Sequence, residues 1–448
     1  MSDQIRLKKG LDLPISGAAS CEVTGRVAPG LVAVKPTDFR GMVPRLLVKE
    51  GDSVQAGTPL FADKQHPAMV FCSPVGGKVC AVVRGDKRKL LEVRVQADEK
   101  NAAVKFDVPV VSALARQDAV DFLLKTGLWP CLKQRPYGTV ADPEATPKAI
   151  FISGINTAPL GADPEYALQG DVNAIQAGIG ILGKLTPGGV HLSLPSESFS
   201  GSEFHKLTGV TFHQFSGPHP AGNVGVQIAH ISPINKGELV WTVDLHHVAV
   251  IGRMLLKGVY DTRKRIAVAG PSAVNPSYVE VTAGVCMKDL APWFGEGNVR
   301  VISGDVLTGE AVGREGFLGF YHNQVSVLPE GDYFELFGWI NPFRSHKFSV
   351  SKTYPAFLRR KKYDMDTNEN GGERPFLMND VYNKMLPMDI YPLYLFKACL
   401  AGDLEKMENL GIYEVLEEDV ALCEFVCPSK VPIQKIVRDG IELMMKEM

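Results

Sequence analysis

Apolar positions between residues 46 and 95 come in short runs broken by turn residues: Leu46-Leu-Val48, Glu50-Gly-Asp52, Ala56-Gly57, Ser73-Pro-Val-Gly-Gly77 and Arg84-Gly-Asp86. Runs of this length between Gly, Pro and Asp predict a small flattened β-barrel. From 105 to 255 the rhythm changes. Helical periodicity over 117–125 and 164–185 alternates with strand-like runs at Lys148-Ala-Ile-Phe-Ile152 and Gly189-Val-His-Leu-Ser-Leu194, which predicts an α/β layer with parallel strands. A third rhythm starts at Arg265: Ile266-Ala-Val-Ala-Gly270, Val279-Glu-Val281, Val299-Arg-Val-Ile302 and Asp305-Val-Leu307 read as strands with one intervening helix. From about Arg359 the pattern is helical, and the polar stretch 364–373 suits a linker or lid. No internal repeat is found. The expected fold is α/β multidomain, divided at 1–104, 105–257, 258–345 and 346–448.

Composition narrows the function classes. The chain has 448 residues, 45% of them hydrophobic, enough for several cores, and a net charge of -2 gives no overall basic footprint for nucleic acid. No stretch approaches the roughly 18 apolar residues of a membrane span; the best, 248–256, is short and carries Arg253. The N-terminus lacks an apolar signal region, so a cytoplasmic address is expected. The eight cysteines form no CxxC pair and are expected to be reduced.

Some motifs invite chemistry that their context rejects. Gly178-Ile-Gly-Ile-Leu-Gly183-Lys184 matches both G-x-G-x-x-G and the start of a P-loop. A phosphate cradle must open a helix, whereas this motif closes one, and Leu185 stands where a magnesium-binding hydroxyl is needed. Cys423-Glu-Phe-Val-Cys427-Pro428 resembles the tail of a ferredoxin motif, but a cluster needs four thiolates, so Cys423 and Cys427 read as a relic and no metal is expected. No H-x-x-x-H zinc pattern or G-x-S-x-G elbow occurs. Arg359-Arg-Lys-Lys362, beside Tyr354, Phe357 and Tyr363, reads as a solvated helix end or as a contact for anionic headgroups or an acidic partner.

Several segments carry resemblances. The order of Val48-Lys-Glu-Gly-Asp52, Asp63-Lys64 and Pro74-Val-Gly-Gly-Lys-Val79 resembles the biotinyl/lipoyl barrel-sandwich family, with Lys64 near that family's modified lysine, although Gln65-His66-Pro67 departs from its hairpin tip. The strands after Arg265 resemble the soluble-ligand-binding β-grasp (SLBB) domain. Lys9-Gly-Leu-Asp-Leu-Pro-Ile15, Thr126-Gly-Leu-Trp129, Arg135-Pro-Tyr137, Gly217-Pro-His-Pro-Ala-Gly222, Arg300-Val-Ile-Ser-Gly304, Glu335-Leu-Phe-Gly-Trp339 and Leu422-Cys-Glu-Phe-Val-Cys-Pro428 together, in order, resemble the A subunit family of the sodium-translocating NADH:quinone oxidoreductase (Na+-NQR).

That resemblance implies a peripheral subunit on the cytoplasmic side of the inner membrane, joined to five other subunits that carry the flavins (FAD, FMN, riboflavin) and iron–sulfur centres, in a complex passing electrons from NADH to quinone while exporting sodium. The chain itself would hold no redox cofactor. It would contribute to assembly and to contact with ubiquinone or menaquinone, through Phe39, Arg40 and Met42 and through Trp129, Arg135 and Tyr137. These types suit a quinone, with apolar groups to sandwich the ring and guanidinium groups to donate to its carbonyls; they suit a domain interface equally. More distantly, the domain order resembles the FMN- and NADH-binding subunit of respiratory complex I and the iron–sulfur subunit of the Rnf complex, with a Rossmann-like α/β domain. Where those cousins have a glycine-rich loop, this chain has Trp129, Pro130, Lys133 and Pro136, expected to fill the phosphate cradle. The alternatives are a free-standing complex I-like flavin/NADH oxidoreductase and a biotin/lipoyl carrier protein.

Overall fold

The computed structural model describes residues 4–338, 344, 347–353, 355–358 and 361–447. Leu31–Val34, Leu90–Ala97, Gly77–Arg84 and Ser53–Val54 form a four-stranded antiparallel sheet, and Pro44–Leu46, Pro59–Asp63 and Val70–Cys72 form a three-stranded one. Phe61 stacks on Phe71 at 4.7 Å between ring centroids, and Phe39 packs against both. Lys64 is exposed on the hairpin that follows Pro59–Asp63. The barrel core is continuous with Leu123, Leu124 and Trp129 of the next segment.

The first two strands of the chain leave the barrel. Gln4–Arg6 pairs parallel with Thr211–Ser216, and Val23–Arg26 pairs parallel with Ser277–Thr282. With three and four residues they are too short for periodicity to reveal, so the expected unit 1–104 lends its N-terminal part to two other sheets.

Seven strands build the α/β layer in the order Gln4–Arg6, Thr211–Ser216, Val190–Pro195, Ile150–Ser153, Val240–Asp244, Leu132–Arg135, Thr139–Val140. The first five are parallel and the last two antiparallel. Alternation along the strands covers both faces. Ile150 and Ile152 face the core shared with helices Val172–Leu182 and Leu245–Lys257, while Ala149 and Phe151 face Ile228 of helix Val224–Ile231. The single helix expected over 164–185 is two, Pro164–Ala167 and Val172–Leu182, because Gly170 at φ +91° breaks it. Gly178 and Gly252 let the longer helix lie directly on its neighbour: a Cβ on Gly252 would stand 1.6 Å from the Ala174 carbonyl oxygen.

The third sheet is mixed, in the order Glu310–Ala311, Val299–Ser303, Gln324–Pro329, Arg263–Ala269, Ser277–Thr282, Val23–Arg26, and its intervening helix is the 3-10 segment Met287–Trp293. Helices Val381–Met385, Pro392–Ala401, Leu404–Asn409, Glu417–Val426 and Ile433–Glu447 then close around Tyr382, Phe396 and Val437. The polar stretch 364–373 is tied down rather than free, since the Asp366 carboxylate takes hydrogen bonds from the Tyr333 hydroxyl and Lys347. Arg359, Arg360, Tyr354 and Trp339 lie outside the described residues.

Candidate functional site

After Ile150–Ser153 the chain adds Val190–Pro195 on one side and later Val240–Asp244 on the other. Two strands diverging this way leave a gap at their carboxyl ends, the usual place for a ligand in such sheets. A crevice of about 720 Å³ opens there, within the range of roughly 300–1,000 Å³ that holds small molecules. Ser153 and Asp244, the last residues of the two strands, line it. Arg40 enters from the barrel side, Lys133 and Arg135 from the antiparallel strand, Asp305 and His322 from the third sheet, and Glu417 and Glu418 from the C-terminal helices.

Charge is dense on these walls. Arg135, nearly sealed from solvent, holds Asp419 at 2.9 Å and also bonds Glu418, while Glu417 takes Arg40 at 2.6 Å and Arg438 at 2.8 Å. Burial opposes ionisation of Glu418, but Arg135 and Lys133 outweigh it and hold its pKa below the usual range. Asp244 caps helix Leu245–Lys257 by accepting from the His246 N–H at 2.8 Å. Burial disfavours its charge as well, yet hydrogen bonding from His246 keeps it ionised. Lys264 donates to the Phe320 and His322 carbonyls, and burial, only partly offset by Asp244 and Asp38, lowers its pKa to about 8. Lys133 differs: its ammonium lies 4.0 Å over the Tyr321 ring and has no ion pair or hydrogen bond among the described residues. Burial lowers its pKa too. Three donors without a bonded acceptor, on the wall of a cavity, suit a ligand oxygen.

Three family models match the chain: the NqrA N-terminal barrel-sandwich hybrid domain over 5–98, the NqrA second alpha/beta domain over 114–260, and the NQRA C-terminal domain, of SLBB type, over 265–313. The A subunit of the Na(+)-translocating NADH-quinone reductase of Yersinia pestis bv. Antiqua (strain Angola) is 38% identical, over 97% of this chain and 98% of its own length. The chain belongs to this NqrA family. Proteins of the same name from Klebsiella pneumoniae subsp. pneumoniae (40% identical, covering 95% and 96%) and Rhodopirellula baltica (37%, covering 99% and 98%) match equally widely. Among solved structures, an air-oxidised NAD+-reducing [NiFe]-hydrogenase chain is 12% identical, with a TM-score of 0.36 over 77% of this chain and 67% of that one.

The residues that the family resemblance singled out divide between two places. The Val140 N–H, three residues past Tyr137, donates to the Arg40 carbonyl and brings the two stretches near each other, but the side chains part. Arg40 and Arg135 line the crevice. Phe39 is buried among Phe61, Phe71, Phe320 and Tyr321, beside a void of about 20 Å³ that holds little more than a water molecule. Met42 packs against the barrel core. Trp129 is fully buried, donating to the Ala141 carbonyl at 2.7 Å with its ring edge-on to Trp241. Tyr137 meets Tyr413 of the C-terminal helices. The four apolar groups therefore do not sandwich one ring. Trp129 and Pro130 likewise point into the interior, so of the side chains expected to fill a phosphate cradle only Lys133 reaches the crevice walls.

Cys423 and Cys427 are buried on either side of Tyr382: the Tyr382 hydroxyl lies 3.1 Å from Cys427 Sγ, and Cys423 donates to the Tyr382 carbonyl. Burial pushes the Cys423 thiol up, favouring the protonated form. Among the described residues no group of three or more His, Cys, Asp or Glu side chains is placed to hold a metal. No helix among them is long and apolar enough to cross a membrane. Asp244, His246, Tyr321, His322 and the run Glu417-Glu-Asp419 were not anticipated from sequence. Two signals pointed to them: an Asp directly between an apolar strand and an amphipathic helix, and an acidic run opening a helix.

Proposed function

We propose that this chain serves as the peripheral NqrA component of a sodium-translocating NADH:quinone reductase, holding no redox carrier of its own and docking to flavin- and iron–sulfur-bearing partners at the inner face of the cytoplasmic membrane. Near-full-length identity to proteins of that name carries the reading. A tagged chain drawn from native membranes is expected to bring partner subunits with it and to be colourless when isolated; recovery alone, with stoichiometric FMN, would overturn it.

Within this role, the crevice at the strand ends is where the chain contacts quinone. Support comes from its volume and from Lys133, whose free donors match a quinone carbonyl. Arg40 and Arg135 act as positioning residues, because their guanidinium groups are committed to Glu417, Glu418 and Asp419. Titration of the soluble chain with a short-tail quinone should give saturable heat that Lys133→Met abolishes. Heat without saturation removes the quinone site from this chain and leaves the family role untouched.

A further inference from the structure

Strand Val299–Ser303 is followed by Gly304 on the crevice wall, and His322 lines the same wall from the turn before Gln324–Pro329. Ser303 is fully buried between them. Its hydroxyl accepts from the Gly319 N–H at 2.9 Å and lies 2.8 Å from His322 Nδ1. A buried hydroxyl proton needs an acceptor, and among the described residues Nδ1 is the one in reach, so Ser303 donates and Nδ1 accepts. The bond at one ring nitrogen decides the other, and the hydrogen of the imidazole therefore sits on Nε2. Nε2 has no hydrogen-bond partner among the described residues and is not sealed from the crevice. Two glycines fix the ring: a Cβ on Gly319 would stand 2.6 Å from Nδ1, and one on Gly304 3.2 Å from Nε2. The donor is also uncharged, since burial, with Lys264, Lys35 and Lys133 nearby, holds the pKa of His322 at about 3.

Lys133 supplies the other donor on this wall. Its ammonium rides 4.0 Å over the ring of Tyr321, the residue before His322, and that ring is pinned by its hydroxyl, which donates to the Pro130 carbonyl at 2.7 Å. One cationic and one neutral donor thus flank Tyr321, each without an acceptor among the described residues. A ligand with a single acceptor oxygen leaves one of the two unpaired, and an unpaired polar group in a closed site costs binding. We propose that His322 is a second ligand-contacting donor of the crevice, and that with Lys133 it selects rings carrying two carbonyl oxygens over rings carrying one. This selection rests on the crevice being the quinone contact of the chain. Ser303 acts through His322 as a positioning residue, keeping the hydrogen on the nitrogen that meets the ligand.

The test is isothermal titration of the full chain with duroquinone, which has two ring carbonyls, and with isophorone, which has one on a similarly methylated ring. The parent is expected to hold duroquinone the tighter by about fivefold, the usual worth of one hydrogen bond. His322→Phe keeps a flat ring without the donor and should erase that preference, weakening duroquinone while sparing isophorone, whose one carbonyl goes to the charged donor Lys133. His322→Gln, which donates from its amide, should restore part of it. Ser303→Ala should lose part of it with the near-ultraviolet circular dichroism of the parent retained, and it carries the test if His322→Phe does not fold. The selection is overturned if the parent holds the two ligands equally, or if the variants weaken both ligands alike; either result leaves the quinone contact standing. Absence of saturable heat with duroquinone overturns the contact and the selection together.

Discussion

Arg135 concentrates the electrostatics of the crevice in one side chain. It is buried with Asp419 at 2.9 Å, and a Cβ on Gly225 would stand 2.3 Å from its Nη1. Removing one member of a buried pair strands the other charge, at a cost of about 3–5 kcal/mol. Arg135→Ala is therefore expected to lower stability by that amount in chemical denaturation followed by tryptophan fluorescence. Arg135→Lys should lie between, since an ammonium cannot span Glu418 and Asp419 with a fixed fork. His247 and His322 set a second dependence. Burial, with cations including Lys264 nearby, depresses each to about 3 from 6.5. Between those values the unfolded chain binds more protons than the folded one, so stability is complete above about pH 6.5 and falls with acidification, by up to about 1.4 kcal/mol per pH unit for each ring. Melting midpoints should drop from pH 7 to pH 5, and the drop should shrink in His322→Gln; equal midpoints at the two pH values would refute it.

At the scale of elements, the decoy motif Gly178-Ile-Gly-Ile-Leu-Gly183 has a packing explanation. A Cβ on Gly178 would meet the Val248 carbonyl oxygen at 2.4 Å, whereas one on Gly180 finds only Val111 Cγ1 at 3.6 Å. Gly178→Ala should destabilise by about 1–3 kcal/mol, because two packed helices must part. Gly180→Ala should stabilise by about 0.5–1 kcal/mol through helix propensity; matching shifts in the two denaturation midpoints would count against the packing account. Strand Val190–Pro195 and helix Arg116–Lys125 were legible because their pattern spans enough residues to average out exceptions, and the four-residue strand Ile150–Ser153 because the run Ala149-Ile-Phe-Ile152 is wholly apolar, as Val23-Thr-Gly-Arg26 is not. Gly170 was legible as a residue but not as a helix break, since its left-handed φ follows from the tertiary path. The crevice was legible only in its cations. Nothing local to Arg135 announces partners 283 and 284 positions away.

For the whole molecule, the barrel is not an autonomous body. Its core runs on into Leu123, Leu124 and Trp129, and a Cβ on Gly127 would touch Cys72 Sγ. A fragment ending at residue 104 loses that continuation and also carries Gln4–Arg6 and Val23–Arg26 without their sheets. Such a fragment is expected to lack the cooperative melt expected of the intact chain; a sharp transition in the fragment would show the barrel to be self-sufficient.

The bond from Arg135 to Glu418 also imposes a schedule on biosynthesis. Translation proceeds at about 5–20 residues per second, so the 283 positions between them take roughly 14–57 s to emerge. Once Val240–Asp244 has emerged to pair with Leu132–Arg135, and until Glu418 follows, the nascent α/β layer presents an uncompensated guanidinium at the mouth of an unfinished crevice. Chaperones that favour exposed cationic and apolar surface have their opportunity then, and a ribosome stalled before the last helices would release a chain whose central cavity has one wall missing.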